Sequence, residues 1–333
     1  MRSSVVMRIG LLGAASVTPF AIIRPAKAIP AITLAGVAAR DRLRAAAYAE
    51  EHSIEKAYDT YDELIAADDI DLIYIGLPIN LHAEWCVKAA NAGKHVLCEK
   101  PFAMNLTDAE KAVAAGERAG VRVIEAFHNL YHPAFFTLQN WLNEGAIGRV
   151  KEIETITQYP VADDGRTITH RPETGGGAMM DNGCYGLSFA LSLLNAEPSS
   201  ITASADLTPS GVDDRMTAEL KFDGGVTTKL IAAMPADEPA QSSLTITGET
   251  GSISFFDDPL IPHKGARLIL KNKDGEHRAP IDRISTYAYQ LAAVAEAIDY
   301  GTPLPSEGAT LLRQQRVLDA TYAAAGLAHL RDV

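Results

Sequence analysis

Ile9-Gly10-Leu11-Leu12-Gly13-Ala14-Ala15-Ser16-Val17 is an apolar run that breaks on a glycine and leads into the helix-like segment Ala21–Ile29. Strand, glycine turn and helix in that order form the setting in which a dinucleotide turn is built. On the G-x-G-x-x-G template Gly13 takes the first position, with Ala15 and Thr18 where the other two glycines would stand. Small residues are needed because the backbone must approach a pyrophosphate closely and the helix amides must point at it. Ala15 still permits this, less comfortably than glycine. The reading makes Gly13, Ala14, Ala15, Ser16 and Val17 cofactor-binding positions; the bland alternative is a tight turn with no ligand.

The second strand-like run, Ile32–Ala38, ends in Ala39-Arg40-Asp41. A site that prefers NAD would place a carboxylate at the strand end to bond the ribose hydroxyls, and that charge would repel a 2′-phosphate. Ala39 removes the repulsion, and Arg40 offers a guanidinium that can grip the phosphate through two hydrogen bonds. NADP(H) is therefore the expected cofactor. In the competing reading Arg40 is a solvated loop residue, Asp41 holds the ribose, and the cofactor is NAD(H).

Working outward, β-like runs continue at Leu72–Ile75, His95–Cys98 and Arg122–Glu125, alternating with helix-like segments at 42–51, 61–66, 81–92 and 107–119. Such alternation is the pattern of βαβ units around a doubly wound parallel sheet. After about Phe127 strand-like stretches follow one another (150–158, 200–207, 216–222, 227–234, 243–247, 251–256, 267–270). The expectation there is an α+β domain with a large open, mostly antiparallel sheet. One helix interrupts it, from Ala178 after the Gly175-Gly176-Gly177 run to about Leu194, and helices at 287–300 and 307–325 close the chain. The fold class is α/β, with domains expected at 1–127 and 128–333.

The chain has 333 residues, 47% hydrophobic and 22% charged, enough for two domains that each bury a core. A formal charge of −12 excludes a nucleic-acid partner, which would require a basic face. Cys86, Cys98 and Cys184 lie far apart, without a C-x-x-C pair, and read as reduced thiols. His128 and His132 are four apart, but Pro133 follows at once and no third ligand is near, so no metal is expected. Without a signal-like segment or a long apolar run, the expected location is the cytoplasm, with no membrane partner.

His95-Val96-Leu97-Cys98 runs into Glu99-Lys100-Pro101. A lysine at the carboxyl end of a sheet strand faces the crevice where open α/β sheets bind ligands. There it can polarise or protonate a carbonyl oxygen, and partial burial brings an ammonium toward the working pH range. An isolated Glu-Lys-Pro would more often be an ordinary loop.

It is not isolated. Ile9–Ala15, Gly76-Leu77-Pro78-Ile79-Asn80-Leu81-His82, Val96–Pro101, Glu125-Ala126-Phe127 with Tyr131-His132-Pro133, Gly145-Ala146-Ile147-Gly148 and Gly175–Asp181 resemble, in order and spacing, the glucose–fructose oxidoreductase/inositol dehydrogenase (Gfo/Idh/MocA) family. Tyr289–Pro303 is similar to its carboxy-terminal segment, so the resemblance covers nearly the whole chain. It implies an N-terminal Rossmann domain, a C-terminal open-sheet domain, and a homodimer or homotetramer assembled through that sheet. The implied activity is hydride transfer between a nicotinamide and a hydroxyl or carbonyl carbon of a small sugar, polyol or cyclic diol. Two further readings stay open: NAD-dependent glycoside hydrolysis by transient oxidation, and a non-catalytic cofactor-sensing regulator.

By position, the resemblance implies that Lys100 is the catalytic lysine and that Glu99 contacts the nicotinamide-side ribose. It also implies that Leu77, Pro78, Asn80 and His82 belong to the turn against the cofactor. Asp181 and Tyr185, four apart, share one helix face. Many relatives carry histidine where this chain has Tyr185; its sugar oxidoreductases and dihydrodiol dehydrogenases resemble this chain in having tyrosine. The expectation is that Lys100 and Tyr185 share the substrate proton while Asp181 orients substrate. The alternatives are a core tyrosine bonded to a backbone carbonyl and a helix-start aspartate. Leu130 stands where relatives often have arginine. Asp163, Arg166, His170 and Arg171 are loop positions that could reach substrate, and the pairs Asp163-Asp164 and Asp213-Asp214 read as solvated turns.

Overall fold

The computed structural model describes residues 6–165 and 167–332, so Arg166 lies outside the described residues. The chain divides into two units, one running to Ala126 and including Tyr287–Leu312, the other formed by Phe127–Thr286 and the chain from Arg313. The late return of residues 287–312 to the first unit is absent from a division at 127/128.

The first unit holds a six-stranded parallel sheet of β1 (Met7–Leu12), β2 (Ile32–Ala38), β3 (Ala57–Tyr58), β4 (Leu72–Ile75), β5 (His95–Cys98) and β6 (Val123–Glu125), in the order β3-β2-β1-β4-β5-β6. Helices cover parallel sheets on both faces, so their strands read as unbroken apolar runs. Leu72, Ile73, Tyr74 and Ile75 accordingly have no exposed surface. The intervening helices begin where the sequence supplies caps: Asp41 accepts the amide of Arg44 at 2.8 Å and Asn105 that of Asp108 at 3.0 Å, each worth about 1 kcal/mol. Because the order reverses at β1, the carboxyl ends of β1, β4 and β5 lie side by side, with Leu12 paired to Ile75 and Ile75 to Cys98. Residues 13, 76 and 99 therefore leave one edge of the sheet together. The two-residue β3 was too short to carry a period in the sequence.

The second unit is built on an eight-stranded sheet. Its strands are β7 (Val150–Gln158), β8 (Ser200–Leu207), β9 (Asp213–Lys221), β10 (Thr227–Ala233), β11 (Gln241–Gly248), β12 (Gly251–Phe256), β13 (Arg267–Asn272) and β14 (Gly275–Arg278). They are ordered β14-β13-β12-β11-β7-β10-β9-β8, and every pair is antiparallel except β7 with β10. Burial alternates along β9 and β10, as it does in a sheet with one covered face. The cover over β7 and β10 is the helix Met179–Leu194, which opens with a wide π turn over Met179–Gly183.

A helix at Pro133–Asn143 was not expected, because Pro133 reads as punctuation. In the structure it occupies the first helical turn, where its missing N–H costs nothing, and His132 caps the helix by accepting the amide of Ala134 at 3.1 Å. Among the described residues no helix is long and apolar enough to cross a membrane.

Candidate active site

Gly13 turns with φ at +97°, and a Cβ placed on it would meet the carbonyl oxygen of Gly76 at 2.7 Å and Leu77 at 3.0 Å. Only glycine fits that cradle without strain. The turn is held from behind by the next helix: Arg44 donates to the carbonyl of Ala14 at 2.8 Å and Tyr48 to that of Ala15 at 3.3 Å. Among the described residues, no acceptor is paired with the amides of Ala14, Ala15, Ser16 or Val17. A cluster of unused amides ahead of a helix fits a pyrophosphate. At the end of β2, Ala39 is buried and Arg40 is exposed, and among the described residues Arg40 has no ion-pair partner. Asp41 is occupied as the cap of the following helix.

Across the sheet edge, Glu99 and Lys100 follow β5 directly. Glu99 is buried and accepts the hydroxyl of buried Tyr74 at 2.7 Å. Burial raises its pKa, against the opposing pull of the Tyr74 hydrogen bond and the Lys100 charge. Glu125, at the end of β6, accepts the amide of Phe102 at 2.9 Å. Its burial lifts the pKa to about 8, so this acid holds its proton at neutral pH. Lys100 itself is half-buried and joins Pro101 through a cis peptide bond.

His82, assigned to the turn against the cofactor, is 1% exposed, and both its ring nitrogens face backbone carbonyls, Nδ1 at 3.0 Å from Pro101 and Nε2 at 2.8 Å from Leu77. It therefore ties the Leu77 turn to the Lys100–Pro101 segment, with burial lowering its pKa. Pro78 starts the helix Ile79–Asn91, and Asn80 in its first turn is exposed.

In the second unit, Asp181 lies in the π turn and Tyr185 in the α-helical part that follows. Asp181 is half-buried and accepts from the side chain of Asn182 at 3.2 Å. Tyr185 is 6% exposed, and its hydroxyl lies 3.0 Å from Nε2 of His128. The rings of Phe127 and His128 stand edge-on to it, each with centroids 5.5 Å away.

The start of this helix is fixed by Asp213, which is fully buried at the head of β9 rather than part of a solvated turn. Its carboxylate accepts the amide of Met179 and the hydroxyl of Tyr322, both at 2.7 Å, and burial raises its pKa to about 6. Gly177, with φ at +122°, leaves the space that this carboxylate fills.

The loop before the glycine run is bound within itself. Asp163 accepts the amide of Gly165 at 2.9 Å, Arg171 donates to the carbonyl of Gly165 at 2.7 Å, and His170 lies 3.0 Å from that of Val161. The contacts of Glu125, Tyr74, Arg44 and Asp213 and the His128–Tyr185 pair are absent from what the sequence foretold. An acid closing the apolar run Val123-Ile124-Glu125 was a usable signal. The others depend on partners 25 to 109 residues away, which no local pattern reveals.

A doubly wound sheet with a glycine cradle beside a strand-end lysine, joined to an open-sheet domain, defines a nicotinamide-dependent oxidoreductase. Residues 7–127 match the family model for the Gfo/Idh/MocA oxidoreductases with an NAD-binding Rossmann fold, and residues 135–254 match the family's C-terminal domain. A D-xylose 1-dehydrogenase (NADP(+)) of Haloferax volcanii is 30% identical over 96% of this chain and 97% of its own length. A trans-1,2-dihydrobenzene-1,2-diol dehydrogenase of Xenopus laevis is 35% identical over 76% of this chain and 75% of its own. The solved structure of KijD10, a 3-ketoreductase from Actinomadura kijaniata in complex with NADP and TDP-benzene, superposes with a TM-score of 0.87 at 27% identity, covering 96% of this chain and 97% of that one. The chain belongs to the Gfo/Idh/MocA family.

Proposed function

We propose that this chain is a reversible NADP(H)-linked dehydrogenase that interconverts a hydroxyl and a carbonyl group on a small sugar, polyol or cyclic diol. The observation that carries the reading is the shared sheet edge: the Gly13 cradle, with its unpaired amides, leaves β1 beside the strands that lead into Gly76 and into Glu99-Lys100. Arg40 beside the small, uncharged Ala39 supports a 2′-phosphate over a free ribose. Two relatives named with NADP favour the same choice, and those named for a sugar and a diol favour the substrate class. When bound, the nicotinamide ring supplies or accepts the hydride.

The protein's part is binding, orientation and proton handling. The amides of Ala14–Val17 take the pyrophosphate, and Leu77, Pro78 and Asn80 border the ring, with His82 holding that turn in place. Glu99 takes the nicotinamide-side ribose. Lys100 stabilises negative charge on the reacting oxygen, Tyr185 exchanges its proton, and Asp181 orients the substrate. Assembly into two or four copies through the second sheet, in the cytoplasm, belongs to the same reading.

The test is turnover of D-xylose, myo-inositol and trans-1,2-dihydrobenzene-1,2-diol with NADP⁺ and with NAD⁺, followed at the absorbance of the reduced ring. NADP⁺ is expected to be preferred, and Arg40→Ala to weaken it roughly tenfold while sparing NAD⁺. Equal use of both cofactors by the native chain would remove Arg40 from the site, and release of a free sugar from a glycoside without net NADPH would replace the dehydrogenase with a hydrolase.

A further inference from the structure

We propose that His128 is a proton-relay residue that acts through Tyr185, a role that rests on the proposed proton exchange at Tyr185. The contact is a side-chain pair 57 residues apart in sequence, with Tyr185 Oη and His128 Nε2 at 3.0 Å. On its other side, His128 Nδ1 lies 2.8 Å from the hydroxyl of Thr286. All three residues are buried, His128 at 2% exposure and Thr286 at none. An imidazole buried with a hydroxyl on each nitrogen has its tautomer set by those partners. When Thr286 Oγ1 accepts from Nδ1–H, Nε2 presents a lone pair to the phenol, and Tyr185 donates to it.

That arrangement answers a problem a buried phenol poses. A tyrosine bonded only to a carbonyl oxygen can donate its proton but cannot pass it on, because a carbonyl does not take up a proton near neutral pH. Imidazole does. In the direction of alcohol oxidation, the substrate O–H bond breaks and its proton goes to Tyr185 Oη, while the phenol proton of Tyr185 moves to His128 Nε2. The electron pair of the substrate C–H bond leaves as hydride to the nicotinamide. The products are a carbonyl, a reduced cofactor, a neutral tyrosine and an imidazolium whose Nδ1–H remains bonded to Thr286. Carbonyl reduction runs the same transfers backward.

Phe127 flanks the phenol edge-on. His132 on the same segment is engaged with the amide of Ala134 at 3.1 Å and the carbonyl of Asp282 at 3.3 Å. On the helix of Tyr185, Asp181 is the charged side chain one turn earlier, paired with Asn182 at 3.2 Å.

Two measurements test the relay. In the cofactor-free chain, imidazole ¹⁵N shifts are expected to show His128 as the Nδ1–H tautomer and to move toward a tautomer mixture in Tyr185→Phe; an Nε2–H tautomer in the native chain overturns the proposal. For the substrate turned over fastest in the panel above, His128→Gln, which keeps a hydrogen bond but cannot take up a proton, and His128→Phe are each expected to lower kcat about 100-fold. Both are expected to leave KM for NADP⁺ unchanged and to abolish the low-pH limb of the kcat profile. Full activity with that limb intact in His128→Gln, alongside a Tyr185→Phe variant that is inactive, sinks the relay and leaves the proposed function standing. Full activity of Tyr185→Phe sinks both the relay and the role given to Tyr185.

Discussion

Two helices in this molecule begin alike and are finished differently. Each follows a glycine at positive φ, Gly13 at +97° and Gly177 at +122°, and each opens with a π turn, Pro19–Ile23 and Met179–Gly183, before tightening to an α-helix. π turns widen a helix and recur at functional positions. At the first start the space beside the glycine is bounded by the Gly76 carbonyl, and among the described residues the amides of the turn are unpaired. At the second, the protein supplies its own anion, with the Asp213 carboxylate on the amide of Met179. An unpaired helix start is a place for a ligand's charge; one capped by an internal carboxylate is a fixed mount, here for the helix that carries Asp181 and Tyr185.

Breaking the mount should cost most. In Gly177→Ala the new methyl group is driven into the Asp213 carboxylate at a φ that alanine resists, so a loss on the order of 3 kcal/mol is expected, lowering Tm by roughly 6–12 °C. A Tm unchanged within 2 °C, roughly the shift of a surface substitution, would show that the start is not fixed. Breaking the cradle should act on binding instead. Gly13→Ala is expected to weaken NADP⁺ roughly 100-fold by calorimetric titration with a smaller effect on Tm, and undiminished affinity would erase the contrast between the two starts.

The smallest effect separates the units by pH. Asp213 and Glu125 are both raised by burial, to about 6 and about 8, so the folded chain keeps protons that the unfolded chain releases. Their stabilising contribution is full below about pH 4 and declines as pH rises, ending near 6 for Asp213 and near 8 for Glu125. Glu125→Gln should remove the decline between pH 6 and 8, on the order of 2 kcal/mol by urea unfolding. An unaltered slope would show that Glu125 is already ionised in the fold.

Much of the fold could be read from periodicity. The apolar runs at 8–12, 32–38, 72–75 and 95–98 lie within one residue of the strands β1, β2, β4 and β5, because strands buried on both faces leave no room for polar residues. The edge strand Gly275–Arg278 was hidden for the opposite reason: all four residues are exposed, so nothing patterns them. Among the candidate site residues, Gly13 was legible as a turn and Lys100 as a strand end, while Glu99 stood out only through the family resemblance. The contacts of His128 and Asp213 were not legible, since their partners are brought close only by the fold. The same holds for His82, which was legible as part of a turn but not as the clip between Leu77 and Pro101.

The return of residues 287–312 to the first unit sets an order on biosynthesis. Arg122 binds Glu307 and the carbonyl of Ala297, Glu125 exchanges backbone and side-chain hydrogen bonds with Ser306, and Leu311 lies in the core beside Val96 and Cys98. A nascent chain therefore lacks these contacts when residue 126 leaves the ribosome. The cover that residues 287–312 supply arrives only after some 160 further residues, or roughly 10–30 seconds at common elongation rates. Chaperone demand during synthesis should track the length of that interval rather than the stability of the finished protein.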